Sequence, residues 1–140
     1  MGTSCFIGIK KNNGSIEAIS CHWDGYPSGV GVTLLHHYNN EEVITSLMAL
    51  GSISSLGERL APEPGEHHSF YEPVDDITVA YCRDRGDRLI IYHYPSIERF
   101  KSGAECYDYV YLFKDNAWWY AESGSALTKL IEERVLQWDI

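Results

Sequence analysis

Strand-length apolar runs in this chain come in adjacent pairs parted by turn signals, and that pairing constrains the fold more than any other feature. Cys5-Phe6-Ile7-Gly8-Ile9 and Ile16-Glu17-Ala18-Ile19-Ser20-Cys21 flank Asn12-Asn13-Gly14, residues that tolerate positive φ and so close a hairpin. A three-residue loop sets Ile7 opposite Ile19 and Cys5 opposite Cys21, whereas a two-residue loop sets Ile7 against Ser20. Apolar matching selects the first register. Ile77–Cys82 and Arg88–Tyr94 make a second pair around the tip Arg83-Asp84-Arg85-Gly86-Asp87. Cys106–Lys114 and Ala117–Ala121 make a third around Asp115-Asn116, with Phe113 facing Trp118 and Tyr111 facing Tyr120. Parallel crossover units need a helix between successive strands, so paired strands point to an antiparallel sheet.

Helical spacing fills the gaps. Ser28 is suited to cap a helix in which Val30, Leu34 and Tyr38 recur at four-residue intervals. Asn39 with Glu42 reads as a capping box for a second helix, with Val43, Leu47 and Leu50 as its apolar stripe and Gly51 as its stop. Ser52–Gly57 should tighten into a turn, and Pro95–Gly103 has room for one helical turn. Ser125 is placed to cap a terminal helix whose Leu127, Leu130, Ile131, Arg134, Val135 and Trp138 share a side. The expected fold is α+β: a largely antiparallel sheet of about six strands in hairpins, with three helices packed on one face. The chain reads as one domain over residues 1–140, interrupted by a Pro- and Gly-rich loop at 58–76. That loop holds six acids against the single Arg59, a charge of −5.

The aromatic residues sharpen the picture. Eight of the ten tyrosines lie between residues 71 and 120. Tyr107, Tyr109, Tyr111 and Phe113 fall on one face of the third hairpin, and Val110, Leu112 and Trp119 on the other. Both faces therefore need burial. One meets the helices, and the other calls for a subunit or partner, so a homo-oligomer is expected.

Charge and special residues narrow the function classes. Eleven basic against twenty acidic side chains give −9, which opposes any general coating of DNA or RNA. No apolar run approaches the roughly 20 residues of a membrane helix, so no membrane role is expected. No basic segment followed by an apolar one opens the chain, and the expected location is cytoplasmic. Cys5, Cys21, Cys82 and Cys106 lie in strand-like runs without a Cys-x-x-Cys pair, which suits buried, reduced thiols. Only Cys5 and Cys21 are placed for a bridge. The six histidines are scattered, so neither a metal nor another cofactor is expected.

One stretch carries chemistry: Cys21-His22-Trp23-Asp24-Gly25-Tyr26-Pro27-Ser28-Gly29-Val30-Gly31. It runs from a strand through a glycine-bearing loop into a helix start, where backbone amides lack partners and the helix dipole is positive. Gly25, Gly29 and Gly31 admit close approach of an anion to those amides, with Val30 between the last two. Trp23 and Tyr26 can stack on a base, while Asp24 can accept from a ribose hydroxyl or a base amine. His22 can act as a general base with Asp24 or a residue of the acidic loop as its orienter, and no Gly-x-Ser-x-Gly elbow accompanies it. The competing reading makes Trp23 and Tyr26 plugs of the corner. Arg83, Arg85 and Arg88 form the only basic cluster, alternating with Asp84 and Asp87 to leave a net excess of one. Arg83 and Arg85 would clamp phosphates if this tip folds over the glycine loop.

Met1-Gly2-Thr3, Ile7-Gly8-Ile9 and the run from Cys21 through Gly29-Val30-Gly31-x-Thr33-Leu34-Leu35 resemble a family of small phage- and prophage-encoded proteins, over residues 1 to about 57. The resemblance implies an accessory protein that acts in the cytosol of a host bacterium and counters host defence by binding. It carries no catalytic residues. Joined to the glycine loop, it leads to a first expectation: sequestration of an anionic nucleotide-type signalling molecule by Trp23, Asp24, Gly25, Tyr26, Gly29, Val30, Gly31, His22, Arg83 and Arg85. The alternatives are an acidic, protein-binding inhibitor of a host defence nuclease or sensor, and a phosphodiesterase-like hydrolase using His22 and Asp24.

Overall fold

The computed structural model describes residues 2–132. Two hairpins form its spine. β1 (Cys5–Lys10) and β2 (Ile16–Cys21) pair antiparallel with Cys5 opposite Cys21 and Ile7 opposite Ile19, the three-residue-loop register. β6 (Tyr109–Lys114) and β7 (Ala117–Glu122) pair with Tyr111 opposite Tyr120 and Phe113 opposite Trp118. Asp115 and Asn116 both take positive φ, 52° and 59°, the backbone that a tight two-residue hairpin turn requires. The hairpins join through a parallel seam, β1 beside β6, with Ile7 next to Tyr111.

The remaining strands complete a mixed sheet, mostly antiparallel, with eight strands among the described residues. β3 (Ile53–Ser55) continues from β2 at Cys21, and β4 (Val79–Ala80) lies outside it. β5 (Tyr92–Tyr94) pairs with β2 at Ile16–Ala18, on the same side as β3. β8 (Thr128–Lys129) pairs with β7.

Among the described residues four α-helices accompany the sheet. α1 (Val32–His37) and α2 (Glu41–Ala49) cover one face, where Val30, Leu34, Tyr38, Ile44, Leu47 and Met48 meet Ile7, Ile19, Tyr111 and Trp118. α4 (Ile97–Gly103), capped by the Ser96 hydroxyl on the Arg99 amide, covers the other. Its Phe100 is fully buried with Phe6, Ile16, Val110 and Leu112. α3 (Tyr81–Arg85) is a short turn after β4, ended by Gly86 at φ 83°.

Several expectations are corrected. Residues 77–94 do not make a hairpin: the Asp84 carboxylate accepts from the Ala80 amide at 2.8 Å and nucleates α3, and β4 and β5 pair with different strands. The helices lie on both faces rather than one, because α4 covers the second aromatic face. Ser52–Gly57 contains β3 instead of a turn. Asn40, not Asn39, caps α2 through the Val43 amide, shifting the buried stripe to Ile44, Leu47 and Met48. β6 starts at Tyr109, leaving Cys106 exposed and Tyr107 stacked on Phe6 of the opposite face, 4.7 Å between ring centres. Thr128–Lys129 is strand where a terminal helix was expected, and Arg134, Val135 and Trp138 lie outside the described residues.

The acidic segment is pinned by its one cation. The Arg59 guanidinium bonds Glu66 at 2.7 and 2.9 Å and Asp76 at 2.8 and 2.9 Å. Deeper in, His68 is enclosed between the Val74 amide and Asp84, at 3.1 and 3.2 Å. Hydrogen bonds from Arg59, then from the Glu63 amide, hold the Glu66 carboxyl down at about 2, and Arg59 also lowers Asp76. A depressed carboxyl contributes stability that is complete above its ordinary value, 4.5 for Glu66, and lost as pH falls through about 2. Acidification across that window should therefore release residues 58–76. The Arg59 Nε–H resonance should follow a midpoint below the ordinary carboxylate range; a midpoint at 4.5 would show the cluster to be unformed.

Candidate functional site

The strand–loop–helix corner is built differently from the sequence expectation. Asp24 takes a left-handed backbone, φ 58°, which turns its carbonyl back over the helix start. The Val30 amide bonds that carbonyl at 2.9 Å, and the Gly29 amide bonds the Tyr26 carbonyl at 2.9 Å. Gly31 reaches Tyr26 at 3.5 Å in a single wide turn, Pro27–Gly31, that precedes α1. The Gly25 amide is bonded to Thr3 at 2.8 Å, and Gly25 is buried against Cys5 and Ser4. The amides named for an anion are thus already engaged by carbonyl oxygens, which corrects the anion-cradle reading of Gly25, Gly29, Val30 and Gly31. Ser28 lies inside the turn, and Tyr26 takes the cap position before Pro27. The glycines serve packing: a Cβ on Gly29 would sit 2.4 Å from the Asp24 carbonyl.

The rings are not plugs. Trp23 is 43% exposed and Tyr26 37% exposed. Asp24 accepts from the Tyr26 hydroxyl at 3.2 Å, and the carboxylate's charge, followed by burial, raises the pKa of that phenol. His22 does not meet Asp24. Its Nδ1 lies 3.1 Å from the Tyr81 hydroxyl and its ring stacks on Trp23, so the expected general-base pair is absent from the geometry.

The arginine tip packs away from the glycine loop. Arg83 spends its guanidinium on Asp84 and on the carbonyls of Leu60 and Thr78, both at 2.6 Å. It has a structural job and no phosphate clamp. Arg85 lies over the rings of both Phe70 and Tyr81, 4.5 and 4.8 Å from their centres, and pairs with Asp87 at 2.6 Å. Arg88 is exposed and has no carboxylate partner among the described residues.

These side chains border an open groove. One chamber, about 480 Å³, is lined by Ser20, Ser52, Tyr81, Arg85, Asp87, Arg88, Ile90 and Tyr92. A second, about 210 Å³, takes in Ser4, Cys21, His22, Ile53 and Tyr107 and shares Ser20 and Tyr81 with the first. Period two puts Ser20 on the face of Ile16 and Ala18, and its hydroxyl donates to Ser52 at 2.9 Å. Ser52 is fixed by β-type bonds, its amide to Ile90 and its carbonyl from Tyr81. Burial, with Tyr92 alongside, pushes the Tyr107 hydroxyl up to about 12, so it faces Ser20 as a neutral group.

Of the expected site residues, the groove gathers His22 and Arg85 only. Ser20, Ser52, Tyr81, Arg88, Tyr92 and Tyr107 were missed. The net excess of one charge in the 83–88 cluster was the available signal: Asp84 and Asp87 occupy Arg83 and Arg85, and Arg88 is the remainder. Among the described residues no group of His, Cys, Asp and Glu is arranged to hold a metal, and no helix is long and apolar enough to cross a membrane. No protein-family model matches the chain, and neither does any curated protein or solved structure.

Proposed function

We propose that the protein binds a small anionic, nucleotide-type ligand in the groove beside α3 and holds it without turning it over. The observation that carries this reading is Arg88, an exposed guanidinium with no carboxylate partner among the described residues, in a chain of net charge −9, at the rim of the larger chamber. A phosphate meets it through paired hydrogen bonds. The hydroxyls of Ser20 and Ser52 suit a ribose, and the rings of Tyr81 and Tyr92 suit a base. The groove has the size range of small-molecule sites. With the resemblance of residues 1 to about 57 to phage-encoded proteins, this supports a role in withholding a signalling nucleotide from its host receptor.

A thermal-shift panel of linear and cyclic nucleotides, followed by calorimetry, tests the reading. At least one compound should raise the melting temperature and be recovered intact after heating. Arg88→Ala should weaken it about tenfold or more, as loss of a charge-assisted hydrogen bond does. As an exposed side chain, its removal should leave unliganded stability within about 0.5 kcal/mol. A panel without a single shift, an Arg88→Ala protein that binds equally well, or recovery of cleaved compound would each overturn the proposal.

A further inference from the structure

The Trp23-Asp24-Tyr26 corner has the chemistry of a different ligand. The amides of Trp23, Gly25, Gly29, Val30 and Gly31 are engaged by carbonyl oxygens, so the glycines offer an anion no backbone donors. What it presents outward is an exposed carboxylate, held by the Tyr26 hydroxyl at 3.2 Å, beside the exposed rings of Trp23 and Tyr26. Few large apolar side chains are exposed among the described residues, Trp23, Tyr26, Tyr71 and Leu89, and two of these flank Asp24. A cavity of about 220 Å³ opens beside Trp23 and Asp24, lined also by Ser28, Gly29, Val32 and Leu56 among others.

The backbone holds this arrangement in place. The left-handed turn at Asp24 is locked by the Val30 amide on its carbonyl, and the Trp23 amide is tied to Ser54 at 3.0 Å. His22 stacks on the Trp23 ring, 4.5 Å between centres and 11° from parallel. The absent Cβ of Gly29 admits the Tyr26 ring, which would otherwise be met at 3.1 Å. Aspartate tolerates this left-handed backbone, so the turn holds without a glycine at position 24. Ring faces carry negative potential and attract cations, and a carboxylate beside them adds to that attraction. The net charge of −9 steers a cation toward the surface and an anion away.

We infer that the Trp23-Asp24-Tyr26 corner binds an organic cation, an ammonium or guanidinium head of the kind a lysine or arginine side chain presents. The site is separate from the groove, and neither reading depends on the other.

Amide and indole NMR of the full chain, titrated with tetramethylammonium chloride and separately with Nα-acetyl-lysine methylamide, provides the test. Sodium chloride and tert-butanol serve as ionic-strength and shape controls. Saturable shifts at the Trp23 indole N–H, Gly25 and Gly29 are expected with the cations and not with the controls. Asp24→Asn, which keeps a side chain tolerant of positive φ, should weaken binding about fivefold or more. Trp23→Leu, which keeps bulk and removes the ring face, should do the same and serves if the Asn variant does not fold. Binding of tetramethylammonium alone assigns a free small ammonium compound; binding of the lysine derivative assigns a protein side chain. Equal shifts with tert-butanol, unchanged affinity in the folded variants, or no saturable shift at the corner would overturn the inference. None of these outcomes touches the nucleotide titration read at Arg88.

Discussion

Phe100→Ala should lower the unfolding free energy by about 3–5 kcal/mol, as truncation of a buried phenylalanine does. Phe100 is the buried residue of α4, and it fills the space above Gly8, where a Cβ would lie 3.1 Å from its ring. It stacks on Phe6 with 5.6 Å between centres and meets Tyr94 at 6.0 Å. Without it α4 loses its hold on the sheet, and Phe6, Val110 and Leu112 lose their cover. Urea denaturation should read the loss, and size exclusion should show the variant self-associating more than the parent. Phe100→Leu should recover more than half of the stability. A Phe100→Ala protein within about 1 kcal/mol of the parent would mean that α4 is not what covers this face.

Trp118→Ala should be at least as damaging. Truncation of a buried tryptophan costs about 3–5 kcal/mol. Its Nε1–H donates at 2.7 Å to the carbonyl of Tyr38, the residue that ends α1, and the loss leaves that acceptor unpaired. A buried group left without a partner adds about 1–3 kcal/mol. Tyr38 in turn donates its hydroxyl to the Gly57 carbonyl at 2.6 Å, so the damage extends toward β3. Trp118→Phe separates most of the packing from the hydrogen bond, since it keeps a six-membered ring and removes the N–H with the rest of the indole. It should cost about 1–3 kcal/mol in the same denaturation experiment. Equal losses in both variants would show that the hydrogen bond, rather than the packing, holds α1 to β7.

Local chemistry explains which parts of the fold were legible. Asn12-Asn13-Gly14 and Asp115-Asn116 fix their hairpins because the turn residues and the apolar alternation agree on one register. Val30, Leu34 and Tyr38 are all buried, as their spacing demands. The parallel seam between β1 and β6 has no such signature, since nothing near Ile7 in the chain names Tyr111 as its neighbour. The misread hairpin at 77–94 came from weighting Gly86 as a turn residue. Gly86 ends a helix instead, and Asp84, four residues after Ala80, was the competing sign.

The candidate site was legible in composition and misread in placement. Glycines after a strand suggested open amides, yet the positive φ of Asp24, invisible in the sequence, brings its carbonyl to the Val30 amide, while the Tyr26 carbonyl takes Gly29 and Gly31 and the Thr3 carbonyl takes Gly25. The exposure of Trp23 and Tyr26 counts against the reading of those rings as plugs of the corner, which the sequence left open. The groove draws Ser20 from β2, Ser52 from the start of β3, Tyr81 from α3 and Tyr92 from β5. Only the tertiary path brings these together, so no local pattern announces them.

The seam between β1 and β6 also governs the order of events during synthesis. Each hairpin can close alone within about 1–10 μs. Their joining must span about 100 intervening residues, a separation that slows folding. At about 5–20 residues per second, a ribosome leaves β1 waiting roughly ten seconds before β6 emerges. Through that interval the strand destined for the middle of the sheet is an open edge, ready to recruit whatever extended chain comes near. The pace of translation across residues 22–108 therefore bears directly on how much of the nascent chain reaches its native state.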